Sequence, residues 1–203
     1  MVGQLNTHGY EYRKGRRDLL DAAARAANLP LWNSETGDND ITGMTMAQNI
    51  SIDLAWLHPS VWCMWQPLDG SGWGLIYAEP ENHTIGAANI KYYMMAQYTR
   101  HIRPGMIMLD SDDPNTTESL DEKTDTLVIV TVNSGPAESV TYSLNTGQQP
   151  ARESWLNVRR WETDASGPNK YTEYPDSVIA DTSLMVHFPA RSVQTIEITK
   201  IGR

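Results

Sequence analysis

A single cysteine, Cys63, stands among 203 residues, so the chain can form no internal disulfide and no cysteine-based metal site. Phenylalanine is just as scarce: Phe188 is the one example, against 7 Trp and 9 Tyr. A core selected for packing alone has no reason to avoid Phe. Trp and Tyr join an apolar face to a polar tip and suit ring-stacking surfaces of the kind that hold sugars. No apolar run approaches the ~18 residues of a membrane-spanning helix, so no membrane partner is expected. The 16 Lys and Arg are outnumbered by 25 Asp and Glu, and a net charge of −9 gives no drive toward a phosphate backbone. Nucleic acid is therefore not an expected partner. The opening residues MVGQLNTHG carry neither the basic nor the apolar segment of a secretion leader. Three glycosylation sequons, at Asn49, Asn82 and Asn115, point instead to a secreted ancestor whose leader lies outside these residues.

What is present fits a chain that folds around a core: 40% hydrophobic residues, 20% charged residues and a mean hydropathy of −0.47. Its length falls short of the roughly 250 residues of a whole (β/α)₈ barrel. Up to about Arg103 short apolar strands alternate with helical stretches. Strands are expected at Gln4–Thr7, Leu31–Ser34 and Val61–Gln66, the last apolar enough for a strand covered on both faces. Helices are expected at Gly15–Asn28, Thr42–Leu57 and Ala88–His101. This is the grammar of a parallel sheet with helices outside it. From Gly105 the pattern changes to strands punctuated by turns, at Met106–Leu109, Thr126–Asn133, Ser139–Leu144, Asn157–Glu162, Ser183–Phe188 and Gln194–Ile201. The acidic stretch Asp110–Asp125 reads as an exposed loop. An α/β domain over residues 1–104 followed by an antiparallel β-sandwich over 105–203 is the expected division.

In parallel α/β folds reactive groups collect at the carboxyl ends of the strands. The first strand end offers His8 and Tyr10, the second Glu35 and the third Trp65, Gln66 and Asp69. A carboxylate, an imidazole, a phenol and an indole at one rim suit a neutral, hydroxyl-rich ligand. Each also has a plain structural reading: Glu35 as an ion-pair or capping residue, His8 as a hydrogen-bonded histidine, Tyr10 as a wall, Trp65 as packing. Asp38 and Asp40 are expected to serve the N-terminus of the following helix. The five histidines show no metal-ligand spacing, and no nucleophile elbow, Walker loop or dinucleotide fingerprint opens a helix. No metal or cofactor is expected.

The strand ends NTHGY (Asn6–Tyr10) and LWNSETG (Leu31–Gly37), the run WCMWQPLD (Trp62–Asp69), the segment YYMMAQYTRHIRPG (Tyr92–Gly105) and the closing FPARSVQTIEI (Phe188–Ile198) together resemble glycoside hydrolase family thirty, most of all its fungal members that cleave β-1,6-linked galactan. The resemblance implies the last three units of a (β/α)₈ TIM barrel, strands six to eight, followed by the side β-sandwich. It implies a retaining mechanism with Glu35 as the nucleophile. His8 and Tyr10 would line the subsite of the attacked sugar, Tyr10 donating to the nucleophile, and Trp65 would be the platform under that sugar. The family's acid/base follows strand four, and no residue of this chain matches it; Glu11, just past Tyr10, has no such role in the family. A C-terminal fragment inactive by itself, monomeric if folded, acting on a polysaccharide or oligosaccharide and secreted like its family, is thus the expectation. A non-catalytic glycan-binding module and a truncated, poorly folding product are the alternatives.

Overall fold

The computed structural model describes residues 2–10, 14–70, 72–143, 155–179 and 183–201. In chain order the elements are β1 (Leu5–His8), α1 (Arg17–Ala27), β2 (Leu31–Thr36), α2 (Met44–Trp56), β3 (Val61–Met64), β4 (Leu68–Asp69), β5 (Ile76–Glu79), β6 (Thr84–Ala88), α3 (Ile90–Thr99), β7 (Ile107–Leu109), β8 (Thr116–Asp121), β9 (Thr126–Asn133), β10 (Glu138–Ser143), β11 (Trp155–Asp164), β12 (Lys170–Ile179), β13 (Ser183–Phe188) and β14 (Ser192–Ile201). The fold is mostly sheet with few helices. It divides into two compact units, Met1–Met95 with Asp112–Asn115, and Ala96–Ser111 with Thr116–Arg203.

The first unit holds a parallel sheet in the order β1-β2-β3. Helix α1 forms because Ala and Leu dominate it, and Asp18 and Arg25 sit at the ends where the helix dipole favours them. It stops at Asn28, which turns into the left-handed conformation (φ 51°) and closes the last turn through its backbone N–H. Its Ala24 packs with Leu31 of β2 and with Leu57, just past α2, and Leu5 and Leu20 lie against them. Asp40 caps α2: its carboxylate accepts the backbone N–H groups of Thr42 and Thr45. Strand β3 is only half-buried at each of its four positions. Full covering on both faces is thus not seen; β3 pairs with β2 alone in this sheet. The glycine-rich stretch after it joins β4 to β5 within a small sheet, β4-β5-β6, that sequence periodicity did not indicate.

The second unit is antiparallel. A six-stranded sheet in the order β12-β11-β14-β9-β8-β7 faces the two-stranded ribbon β10-β13. Between them lie Ile129, Leu156, Val158, Leu184, Val186, Phe188, Ile196 and Ile198. Alternation in β13, SLMVHF, puts Leu184, Val186 and Phe188 inward. Two strands escaped the sequence reading. Thr116–Asp121 lies inside the acidic stretch expected to be a loop, yet Thr116, Thr117 and Ser119 are buried. Its pattern is polar because Thr116 pairs its hydroxyl with that of Thr131 on β9. β12 was hidden by Pro175, which a strand tolerates at an edge or a bulge; β12 is the edge strand and its register slips at that point. The turn at Asn145 and the end of the expected strand at Leu144 lie outside the described residues.

Phe188 is fully buried at the centre of this core. Phe188→Ala is expected to destabilise the second unit by about 3–5 kcal/mol, read as a lower urea midpoint with an unchanged slope.

Candidate active site

Strand β2 carries one residue more than either neighbour. Thr7 of β1 is opposite Asn33 but His8 is opposite Glu35, and the register with β3 slips over the same interval, between Asn33 and Thr36. This is a β-bulge, which re-aims the side chains beyond it. Its cause is visible on the helix-facing side of the sheet. Asn33 (0% exposed) donates from Nδ2 to Asp53 Oδ2 at 2.6 Å, and Thr36 (3% exposed) accepts Asn49 Nδ2 at 2.9 Å. Both therefore face α2, although strict alternation would pair Asn33 with Glu35 on that face. The extra residue frees Glu35 from the α2 side.

Glu35 turns instead to His8 and Tyr10 at the end of β1. The Tyr10 hydroxyl donates to Glu35 Oε1, and His8 Nδ1 lies 3.7 Å from the same oxygen. The His8 and Tyr10 rings meet edge to face at 6.1 Å. Desolvation of the hydroxyl, followed by the hydrogen bond to Glu35 and the charge of Glu35, pushes the Tyr10 phenol from 10.0 up to about 12. Tyr10 is thus a committed proton donor at neutral pH. Gly9 lets the chain reach this position: a Cβ there would come within 2.6 Å of Asn33 Nδ2 and 3.1 Å of Thr36 Oγ1.

Trp65 reaches the same rim through its backbone, its N–H donating to Thr36 O at 2.7 Å, and its side chain is 43% exposed. Gly37 packs so closely on the Trp65 carbonyl that no Cβ fits. The Trp65–Gln66 peptide bond is cis. Gln66 and Asp69 bond to one another, and Asp69 also accepts the Gly70 N–H. Asp38, expected at the helix start, pairs with Lys91 instead. Lys91 is fully buried, and its Nζ donates to Asp38 Oδ1, Asp38 O and Gly72 O at 2.7–2.8 Å. It fastens the segment after β2 to the glycine-rich loop.

Sequence reasoning missed this support. Asp53 (1% exposed) takes Arg17 Nε at 2.5 Å, Asn33 Nδ2 and the Trp62 indole N–H at 2.9 Å. Asn49, one turn earlier on α2, accepts Arg17 Nη2 and donates to Gly9 O as well as to Thr36. The available signal was a polar pair at i, i+4, Asn49 and Asp53, on a mostly apolar helix. A cleft of about 310 Å³ opens beside α1, lined by His8, Tyr10, Arg17, Leu20, Asn33 and Asp53 among others, but Glu35 is not in its wall. The chemistry is read from the Glu35 side, where the carboxylate and its donor converge. Among the described residues no group of three or more His, Cys, Asp or Glu is placed to hold a metal ion, and no helix is long and apolar enough to cross a membrane.

Two outcomes follow from this geometry. Asp53→Ala strands the Arg17 guanidinium, 13% exposed, and is expected to cost about 3–5 kcal/mol in chemical unfolding. Glu35→Gln removes the negative charge beside Tyr10, so the Tyr10 titration should fall from about 12 toward 10.0. Tyrosinate absorbance, taken as the difference from Tyr10→Phe, reads that shift, and an unchanged titration refutes the pairing.

No protein-family model matches the sequence. An endo-β-1,6-galactanase of Hypocrea rufa is 42% identical over 201 residues, which are 99% of this chain and 42% of the galactanase. The chain thus spans less than half the length of that relative. Among solved structures, a family 30 endoxylanase of Clostridium papyrosolvens C71 superposes with a TM-score of 0.72 at 21% identity, over 98% of this chain and 49% of the xylanase. A family 30 subfamily 8 xylanase of Clostridium acetobutylicum gives 0.73 at 18% identity, over 98% and 49%. These two show a shared fold. Over nearly its whole length, then, the chain resembles glycoside hydrolase family 30 in fold and the fungal endo-β-1,6-galactanase in sequence.

Proposed function

We propose that this chain is the C-terminal part of a retaining glycoside hydrolase acting on β-1,6-linked galactan, and that Glu35 is its nucleophile. The observation that carries the reading is the bulge in β2, which turns Glu35 away from the α2 face and onto the Tyr10 hydroxyl, with His8 3.7 Å away. Identity to the galactanase supports the substrate class. In this reading residues 1–104 form the last three units of a (β/α)₈ barrel and 105–203 its side β-sandwich. An enzyme for an extracellular polysaccharide works outside the cell, so the reading carries secretion with it.

The step assigned to Glu35 is attack of its carboxylate on the anomeric carbon. A carbon–oxygen bond forms to Glu35 as the glycosidic bond breaks, and the leaving oxygen takes a proton from a second carboxyl. Water then cleaves the glycosyl ester, deprotonated by that same second group. Tyr10 holds Oε1 and fixes the carboxylate plane, which leaves Oε2 as the attacking oxygen. His8 is assigned to hydroxyls of the bound sugar, and the exposed Trp65 indole to its apolar face. The second carboxyl must stand about 5–5.5 Å from the nucleophile. Its source is assigned to sequence outside these 203 residues, so the isolated chain should leave galactan intact.

An activated 2-deoxy-2-fluoro-galactoside needs no acid to expel its leaving group, so it tests the nucleophile alone. Peptide mapping after incubation is expected to find a glycosyl ester on Glu35 and none in Glu35→Gln. An ester on another carboxylate overturns the assignment. Release of sugar from β-1,6-galactan by the purified 203-residue chain overturns the claim that it lacks its acid/base.

A further inference from the structure

The three sequons are not equivalent in the folded chain, and we propose that Asn82 is the one that carries an N-linked glycan. Asn49 is 3% exposed and both hydrogens of its amide are spent, one on Gly9 O at 3.2 Å and one on Thr36 Oγ1 at 2.9 Å. A glycosylated amide keeps one hydrogen and must lead a pyranose ring outward, which the folded site forbids. Asn115 is half-buried at the start of β8, folded onto Asp113 through both its backbone N–H and Nδ2, and the Thr117 of its sequon is 4% exposed.

Asn82 differs from both in the exposure of its whole sequon. It closes the single 3₁₀ turn Pro80–Asn82 that joins β5 to β6, and Asn82, His83 and Thr84 are all exposed. His83 leaves the turn in the left-handed conformation (φ 52°), and Thr84 then opens β6 opposite Glu79 at the exposed end of the ribbon. Asn82 Nδ2 spends one hydrogen, on Glu79 Oε2 at 2.9 Å. The other position on that nitrogen is where a sugar would attach, so the bond to Glu79 survives modification and orients the glycan. Glu79 in turn accepts the hydroxyl of Tyr77, an exposed ring laid over Gly86, where a Cβ would come within 2.9 Å of Cδ1. The first sugar therefore emerges beside an aromatic face already fixed in place. The donor is a lipid-diphosphate-linked oligosaccharide. Nδ2 bonds to its anomeric carbon, the carbon–oxygen bond to diphosphate breaks with its electron pair leaving on the lipid diphosphate, and the displaced amide proton passes to the transferase. This inference does not depend on catalysis by Glu35.

The test is expression of the full 203-residue chain behind a cleavable secretion leader in a eukaryotic host. Site occupancy is read by glycopeptide mass spectrometry in the medium and in the microsomal fraction, alongside Asn82→Gln and Thr84→Ala. The expected result is a glycan on Asn82, none on Asn49 in secreted chain, and loss of the endoglycosidase-sensitive mobility shift in both variants. A bare Asn82 in both fractions, a shift that persists in both variants, or a glycan on Asn49 in secreted chain overturns the proposal.

Discussion

The first unit depends on one buried carboxylate. Asp53 sits at the centre of four elements, taking Arg17 from α1, Asn33 from β2 and Trp62 from β3 while standing on α2. Charge in so dry a place is tolerated only when its lone pairs are filled, and leaving any partner out is costly. The bonds are directional, so they admit one relative placement of sheet and helices where apolar packing alone would admit several. Asn49 extends the same constraint toward the rim, through Thr36 and Gly9. With Asn33 and Thr36 both held to α2, the two residues between them have one residue more than a regular strand allows. The bulge is the resolution, and it leaves Glu35 on the other face. A β2 strand without it would press Glu35 toward Asp53, setting two carboxylates against each other in a buried space.

Some of this was legible in the sequence and some was not. Period and composition marked the three helices and most of the strands, because each of those signals is local. The strand-end rule brought His8, Tyr10 and Glu35 to one rim, and the folded chain does bring these three side chains together. It could not foresee the bulge, since a bulge is a mismatch between neighbouring strands and has no mark in either alone. The segment TTESLD was passed over because its inward positions are Thr and Ser, and the edge strand KYTEYPDSVI because of its proline. Asp38 and Lys91 lie 53 residues apart, and nothing local to either announces that they meet.

The two faces of the parallel sheet do different jobs because of this arrangement. Toward α2 the side chains are short, polar and buried, tied to Asp53 and Asn49, and Gly9 passes so close to Asn33 and Thr36 that a Cβ there would meet both. Toward the other side the groups are larger and partly open to solvent: Glu35 at 31%, His8 at 57% and Trp65 at 43%. The backbone that carries Glu35 is thus set by bonds its neighbours make toward α2, while its carboxylate is held by Tyr10.

The scarcity of phenylalanine takes on a different meaning in this light. An excess of Trp and Tyr can be read as a set of stacking surfaces for sugar rings, yet several of their polar tips are committed to partners within the chain. The Trp62 indole N–H goes to Asp53, the Tyr10 hydroxyl to Glu35, the Tyr77 hydroxyl to Glu79, the Tyr142 hydroxyl to Thr131 and the Tyr171 hydroxyl to His101. In the second unit His101 also meets Glu197 at 2.7 Å, so this histidine is a satisfied structural group. A phenylalanine at Tyr10, Tyr142 or Tyr171 would keep the ring and give up that hydrogen bond, a net loss of about 0.5–1.5 kcal/mol. Hydrogen bonding therefore accounts for part of the bias in composition. Trp65 stands apart from these residues: its ring is 43% exposed at the rim that Glu35 occupies.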